Sequence, residues 1–120
     1  DLISLSLDPI FSEPQIALIL QKENPGQSPV FLSSSMACRD FDNFSGIVGS
    51  SSSSTRRVGC NRGANGIDGV LSTAVGYAYG CSSSSQLVTV LIGDIATLHD
   101  VTGIAIAAGM YVYIHQYVCT

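Results

Sequence analysis

The sequence predicts an α/β protein in which a parallel sheet is covered by helices. Two observations carry that prediction. The segment "LVTVLIGD", Leu87 to Asp94, is apolar on both faces apart from Thr89, the pattern of a central parallel strand buried on both sides. Around it, apolar runs of strand length alternate with helical patterns in the order helix, strand, loop, strand, helix, strand, helix. That alternation selects a parallel sheet rather than a set of hairpins. The chain's 120 residues suit one domain, large enough to bury roughly two-thirds of its unfolded surface.

In chain order, "SEPQIALILQ" opens with a capping box. Ser12 is the N-cap, Gln15 follows three residues later, and Pro14 is tolerated in the first turn. The run Ile16 to Leu20 then makes a short buried helix, which "NPG" stops. "SPVFLS" gives a short strand through Val30, Phe31 and Leu32, and "SSSMACRDFDNF" is a loop or helix start at its carboxyl end. "SGIVGSSSSST" is low-complexity loop, and "RVGC" is a further short strand. From Ile67 to about Tyr79 the chain reads as helix, with Gly69, Thr73, Gly76 and Gly80 making a smooth stripe that another backbone can approach closely. "CSSSSQ" is a turn, and "IATLHDVTGIAIAA" returns to a helical pattern after the central strand.

Composition narrows the function. Charged residues make up 12%, about half the usual share of roughly 25%, while 46% are hydrophobic. So little charge suits a piece that lies against other protein. The net charge of −4 argues against a nucleic-acid partner, which would want a basic face. Arg56 and Arg57, the one adjacent basic pair, read as a solvated loop pair. Cys38, Cys60, Cys81 and Cys119 are far apart with no C-x-x-C, which gives neither a zinc signature nor a compact disulfide framework. They read as reduced, mostly buried thiols. The opening at Asp1, without a basic or transit-like stretch, reads as internal to something longer.

In a parallel sheet, ligands sit outside the carboxyl ends of the strands. Gly93-Asp94 closes the central strand there. A carboxylate at that place, preceded by a glycine that admits close approach, suits a hard cation such as Mg²⁺ bridging phosphate oxygens. The helix beginning near Ala96 would aim its amides at the same point. A plain turn or helix cap is the competing reading. Ser35 and Arg39 fall beyond the strand at Val30 to Leu32. An arginine there can clamp a carboxylate with two parallel hydrogen bonds, or it can merely pair with Asp40 or Asp42. "GCNRGANGIDG", Gly59 to Gly69, supplies a third candidate cation in Arg62. Its glycine spacing is neither the dinucleotide fingerprint nor a P-loop, so a simple loop is the alternative. A Ser, His99, Asp100 triad lacks any G-x-S-x-G elbow. Val101 to Thr120 are twenty uncharged residues, about the length of a membrane span, but Thr102, two glycines, His115 and Gln116 weigh against one.

"FLSSSMACRDFD", "NRGANGIDGVLSTAVGYA" and "LIGDIATLHD" resemble three consecutive blocks of 2-succinyl-5-enolpyruvyl-6-hydroxy-3-cyclohexene-1-carboxylate synthase, the thiamine-diphosphate enzyme of menaquinone and phylloquinone synthesis. The agreement runs from about Phe11 to Ile106 and is most like the synthase part of a plant fusion protein. The resemblance implies a partial thiamine-diphosphate-binding domain of the pyrophosphate type over residues 1–106, with a low-complexity loop at 45–57 and an atypical tail at 107–120.

It further implies an activity that decarboxylates 2-oxoglutarate and adds the succinyl unit to isochorismate. Asp94 would hold Mg²⁺ or Mn²⁺, Gly93 and Ala96 would lie against the diphosphate, and Ser35, Arg39 and Arg62 would contact substrate. A chloroplast location and a homo-oligomer are implied as well. No catalytic residue is carried over, because the cofactor-activating glutamate belongs to a separate domain, usually of a second subunit. Two features depart from the family. Ser33-Ser34-Ser35 stands where "GNS" is usual, and the Asn-Asn pair that completes the metal signature would fall just past Thr120. The expectation is therefore a truncated or mis-spliced fragment, inactive alone. A non-catalytic module that pairs with a full-length subunit is the alternative.

Overall fold

The computed structural model describes residues 12–23, 28–45, 56–63, 66–81 and 87–109, together with the backbone of 114–119. The order is α1 (Glu13–Glu23), β1 (Val30–Leu32), α2 (Met36–Phe44), β2 (Val58–Cys60), α3 (Val70–Cys81), β3 (Val88–Gly93), α4 (Asp94–His99), α5 (Thr102–Gly109) and β4 (Ile114–Cys119). The expected parallel, helix-covered sheet is present, with strand order β2-β1-β3-β4 and every pairing parallel. The helix stop expected at 24–27, most of the serine-rich loop and the turn at 82–86 lie outside the described residues.

The local chemistry explains the starts and stops. At α1 the Gln15 side chain accepts from the Ser12 N–H at 2.7 Å, which is the returning half of a capping box. Strand β1 is three residues long yet central. It pairs with β2 through Leu32↔Cys60 and with β3 through Leu32↔Leu91. Its residues alternate between two cores. Phe31 joins Val88, Val90 and Ile92 under the α3 residues Val70, Leu71, Ala74 and Ala78. Val30, Leu32 and Leu91 face the other way, against Ile16, Ala17 and Leu20 of α1 and Ala37, Cys38 and Phe41 of α2. Helices therefore cover both faces, as the double-sided apolar pattern of β3 requires.

Several local expectations change. The small-residue stripe of α3 does not receive another backbone among the described residues. A Cβ at Gly76 or Gly80 would meet nothing within 4 Å, and Gly69 serves instead as a left-handed residue at φ 66° before the helix. Close approach occurs elsewhere. At Gly59 a Cβ would stand 2.7 Å from the Tyr77 ring, and at Gly103 it would stand 2.9 Å from the Ser72 nitrogen.

The helical pattern after β3 divides into α4 and α5 at Asp100. That buried carboxylate turns away to accept from the Ser72 N–H at 2.6 Å and its hydroxyl at 2.9 Å. It thereby caps the first turn of α3 from across the fold. Residues 114–119, which carry no strand signal of their own in the sequence analysis, extend the sheet beside β3 from Val88↔Ile114 to Gly93↔Cys119. No helix of the described residues is long and apolar enough to cross a membrane.

The arginine pair is solvated loop only at Arg57, which is exposed, whereas Arg56 is half-buried. Arg56 donates to the Gln21 side chain at 2.7 Å, and burial lowers its pKa. Arg57 reaches the Cys81 carbonyl at 3.4 Å, and its own carbonyl accepts from Val30 at 3.0 Å.

Candidate functional site

The topology itself makes the site. The chain leaves β1 for β2 on one side and returns past β1 to β3 on the other, so the crevice between the carboxyl ends of β1 and β3 is a topological switch point. The two strand ends are tied there by the Ser33 N–H, which donates to the Leu91 carbonyl at 2.9 Å. A cleft of about 380 Å³ opens at this place. Ser33, Ser34, Ser35 and Arg39 line one wall, Gly93, Asp94, Ile95 and Ala96 the other, and Gly66, Ile67 and Val70 complete it from the approach to α3.

Each wall follows from its local sequence. Gly93 is the N-cap of α4 in extended conformation (φ −71°, ψ 156°), and among the described residues no atom beyond its chain neighbours lies within 4 Å of where a Cβ would be. The backbone is bare on that side. Asp94 begins α4, and its Oδ1 accepts from the Ile95 N–H at 2.7 Å, leaving the rest of a half-exposed carboxylate toward the cleft. Thr97 closes the turn by donating to the Gly93 carbonyl at 2.9 Å. Ala96 turns its methyl into the core under α3.

The opposite wall is strained. Ser35 has φ 76° and ψ −136°, a region that costs a non-glycine residue on the order of 1–3 kcal/mol. It occupies the N-cap position of α2, yet its hydroxyl caps no helix N–H. One turn later Arg39 is exposed. Among the described residues its guanidinium meets only the Met36 sulfur, at 3.8 Å, and forms no ion pair with Asp40 or Asp42. Asp40 is turned inward instead, where burial raises its carboxyl pKa. The ordinary surface pairing weighed for Arg39 is thus not made.

Of the residues singled out from sequence, Ser35, Arg39, Gly93, Asp94 and Ala96 come together in this cleft. Arg62 does not. It lines a neighbouring recess with Leu32, Cys38, Asp42 and Cys60, on the α2 side of the sheet. His99 pairs with Asp68 at 3.0 Å and Asp100 with Ser72, so no triad forms. Ile67 and Ile95, 40% and 59% exposed, are apolar lips of the cleft that the sequence reading did not single out. Their signal was the apolar residue on either side of a Gly-rich or Gly-Asp step.

Chemically, the cleft offers one carboxylate, open backbone at Gly93 and, across from them, the Ser35 hydroxyl, which caps no helix N–H, and the Arg39 guanidinium, which has no ion pair among the described residues. Among the described residues no group of three or more His, Cys, Asp or Glu gathers to hold a metal ion. A cation at Asp94 would therefore draw its remaining ligands from water and from the oxygens of a ligand, as Mg²⁺ commonly does.

No family model matches the chain. Curated proteins do. Over 94 residues, 77% of this chain, it is 46% identical to 2-succinyl-5-enolpyruvyl-6-hydroxy-3-cyclohexene-1-carboxylate synthase of Myxococcus xanthus. The enzyme of the same name from Pelodictyon phaeoclathratiforme is 42% identical over 101 residues, 84% of this chain. Protein PHYLLO, chloroplastic, of Arabidopsis thaliana is 38% identical over 114 residues, 85% of this chain. The chain spans a small part of each relative: 14%, 16% and 6% of their lengths respectively.

Proposed function

Because this chain is similar over about four-fifths of its length to one segment of the 2-succinyl-5-enolpyruvyl-6-hydroxy-3-cyclohexene-1-carboxylate synthase family, we propose that its cleft is the cofactor-phosphate half of such a synthase's active site. The observation that carries the proposal is the convergence, at one switch-point crevice, of Asp94 and bare Gly93 on one wall with Ser35 and Arg39 on the other. In this reading residues 1–106 are a partial cofactor-phosphate domain.

The cofactor would be thiamine diphosphate with Mg²⁺ or Mn²⁺. It supplies, when bound, the electron sink that a 2-oxo acid needs to lose carbon dioxide. The chain's own residues bind and orient. Asp94 gives one oxygen to the metal, and Gly93 and Ala96 let the diphosphate lie against backbone where a side chain would block it. Arg39 clamps a substrate carboxylate, with the Ser35 hydroxyl beside it. The substrates would be 2-oxoglutarate and isochorismate. Arg62 is assigned to a second carboxylate, that of a ligand extending from the cleft across the end of β1. Ile67 and Ile95 keep water from the lip. Proton transfer at the cofactor ring would need a carboxyl group from a second subunit, and the plant-like resemblance proposes a chloroplast setting.

A second reading is favoured by one observation. Ile95, Leu98, Val101 and Ile104 on and between α4 and α5 are all at least half exposed, which suits a non-catalytic module that pairs with a full-length subunit.

Magnitudes set the test. Micromolar binding needs about 8 kcal/mol, whereas one helix N-terminus contributes roughly 0.3–1 kcal/mol. Half a site should therefore bind weakly. Calorimetric titration of the folded chain with thiamine diphosphate and Mg²⁺ is expected to give a Kd of about 100 μM, with the heat abolished by Asp94→Ala. No heat from a folded chain would remove the cofactor-site reading and leave the pairing module.

A further inference from the structure

The recess beside the cleft holds two thiols that are far apart in sequence. In the β1–β2 register Leu32 is opposite Cys60, and neighbours in register on parallel strands point to the same side of the sheet. Leu32 packs against Cys38 of α2, so Cys60 faces the same helix at the same level. Both cysteines line the recess, as do Arg62 and Asp42. Cys38 is 7% exposed, whereas Cys60 lies on an edge strand and is exposed. Both are free thiols.

We infer that Cys60 and Cys38 form a thiol–disulfide exchange site, in which Cys60 reacts first with a small-molecule disulfide and Cys38 resolves the adduct into an intrachain bond. The accessible Cys60 thiolate attacks one sulfur of the disulfide RSSR, forming Cys60–S–SR and releasing RS⁻, which takes up the proton that Cys60 lost. The Cys38 thiolate then attacks the Cys60 sulfur and expels the second RS⁻, protonated in turn. The balance is one protein dithiol plus RSSR giving one protein disulfide plus two RSH, with the two electrons passing to the small molecule.

The division of labour follows from position. Burial pushes the Cys38 thiol up, and the neighbouring Cys60 adds to that shift. Cys38 is thus poorly suited to attack from solvent. The Arg62 guanidinium opposes the shift by its charge and its hydrogen bond to Cys38, which favours the thiolate at the resolving step. A metal site is not the reading, since no three ligating residues gather among the described residues.

The probe is oxidised glutathione. The reduced full chain is equilibrated in a glutathione redox buffer, quenched with acid, alkylated and mapped by peptide mass. The expected product links Cys38 to Cys60. Cys38→Ser is expected to stop with one glutathionyl group on Cys60, and Cys60→Ser to take up none at Cys38. Arg62→Gln should slow the second step about threefold to tenfold. The Cys38–Cys60 and Cys60–Cys81 intervals are almost equal in length, so the same experiment in urea should give both pairings, while the folded chain gives the first. Equal pairings in the folded chain, or separate glutathionylation of Cys38 and Cys60 without a link, would overturn the inference.

Discussion

Ser35 carries the clearest conflict between a residue and its backbone. At φ 76° it holds a conformation that glycine adopts freely, and its hydroxyl spends nothing on capping α2. Relief of about 1–3 kcal/mol of strain, less the roughly 0.5–1 kcal/mol of extra entropy that glycine loses on ordering, makes Ser35→Gly a stabilising change. Thermal unfolding should show a raised midpoint. A lowered midpoint would mean that the hydroxyl supports the fold rather than facing a ligand. The same residue marks a limit of sequence reading. Ser35 stands out as a candidate because it follows a buried strand, but its φ depends on how α2 leaves β1 to pack Cys38 and Phe41 against Leu32. No local preference of "SSS" encodes that. The place of Asp94 at the strand-to-helix step was legible, because Gly93 and the apolar run before it are enough to fix it.

Among the elements, the contrast between two kinds of glycine is sharpest. Gly103 of α5 packs against the first turn of α3, where an added Cβ would lie 2.9 Å from the Ser72 nitrogen and 3.0 Å from Leu71 Cγ. Gly103→Ala should therefore cost about 1–3 kcal/mol. Gly76→Ala, in open space on α3, should gain up to about 1 kcal/mol from helix propensity. Urea unfolding of the two variants distinguishes them, and equal effects would contradict this packing. The sequence shows helical spacing at both places, and its regular stripe points to the wrong one. Spacing reveals which residues share a face, but not which face meets a neighbour. The same limit hid the split between α4 and α5, since Asp100 leaves the helix for a partner on α3, distant in the chain. It hid β4 as well, whose pairing with β3 is set by register rather than by an alternating pattern. The strands β1 and β3 were legible because short apolar runs bounded by Ser and Gly leave few other readings.

Across the whole molecule, low charge and an apolar outer face agree. Leu98 is 70% exposed, and Ile95, Val101 and Ile104 lie near it in sequence, a grouping uncommon on a monomer's surface. The isolated chain should therefore bind an apolar fluorescent dye while folded. Leu98→Glu with Ile104→Lys should cut that signal by about half or more without lowering the unfolding midpoint. An unchanged signal would place the dye in the cleft instead. The strand order has a different consequence, in the order of synthesis. Strand β1 is central, yet its partners β2 and β3 are made later, and β3 only after the whole of α3. Until β3 is made, β1 can pair on one side only, with β2, and pairing so distant in the chain as β1 with β3 is slow to form. On the ribosome, Arg39 and Ser35 emerge long before Asp94, so the cleft's two walls first meet when β3 clears the exit tunnel. A nascent chain stalled before Gly93 would hold the thiols of Cys38 and Cys60 but no crevice, and would expose the apolar edge of β1 to chaperones and proteases.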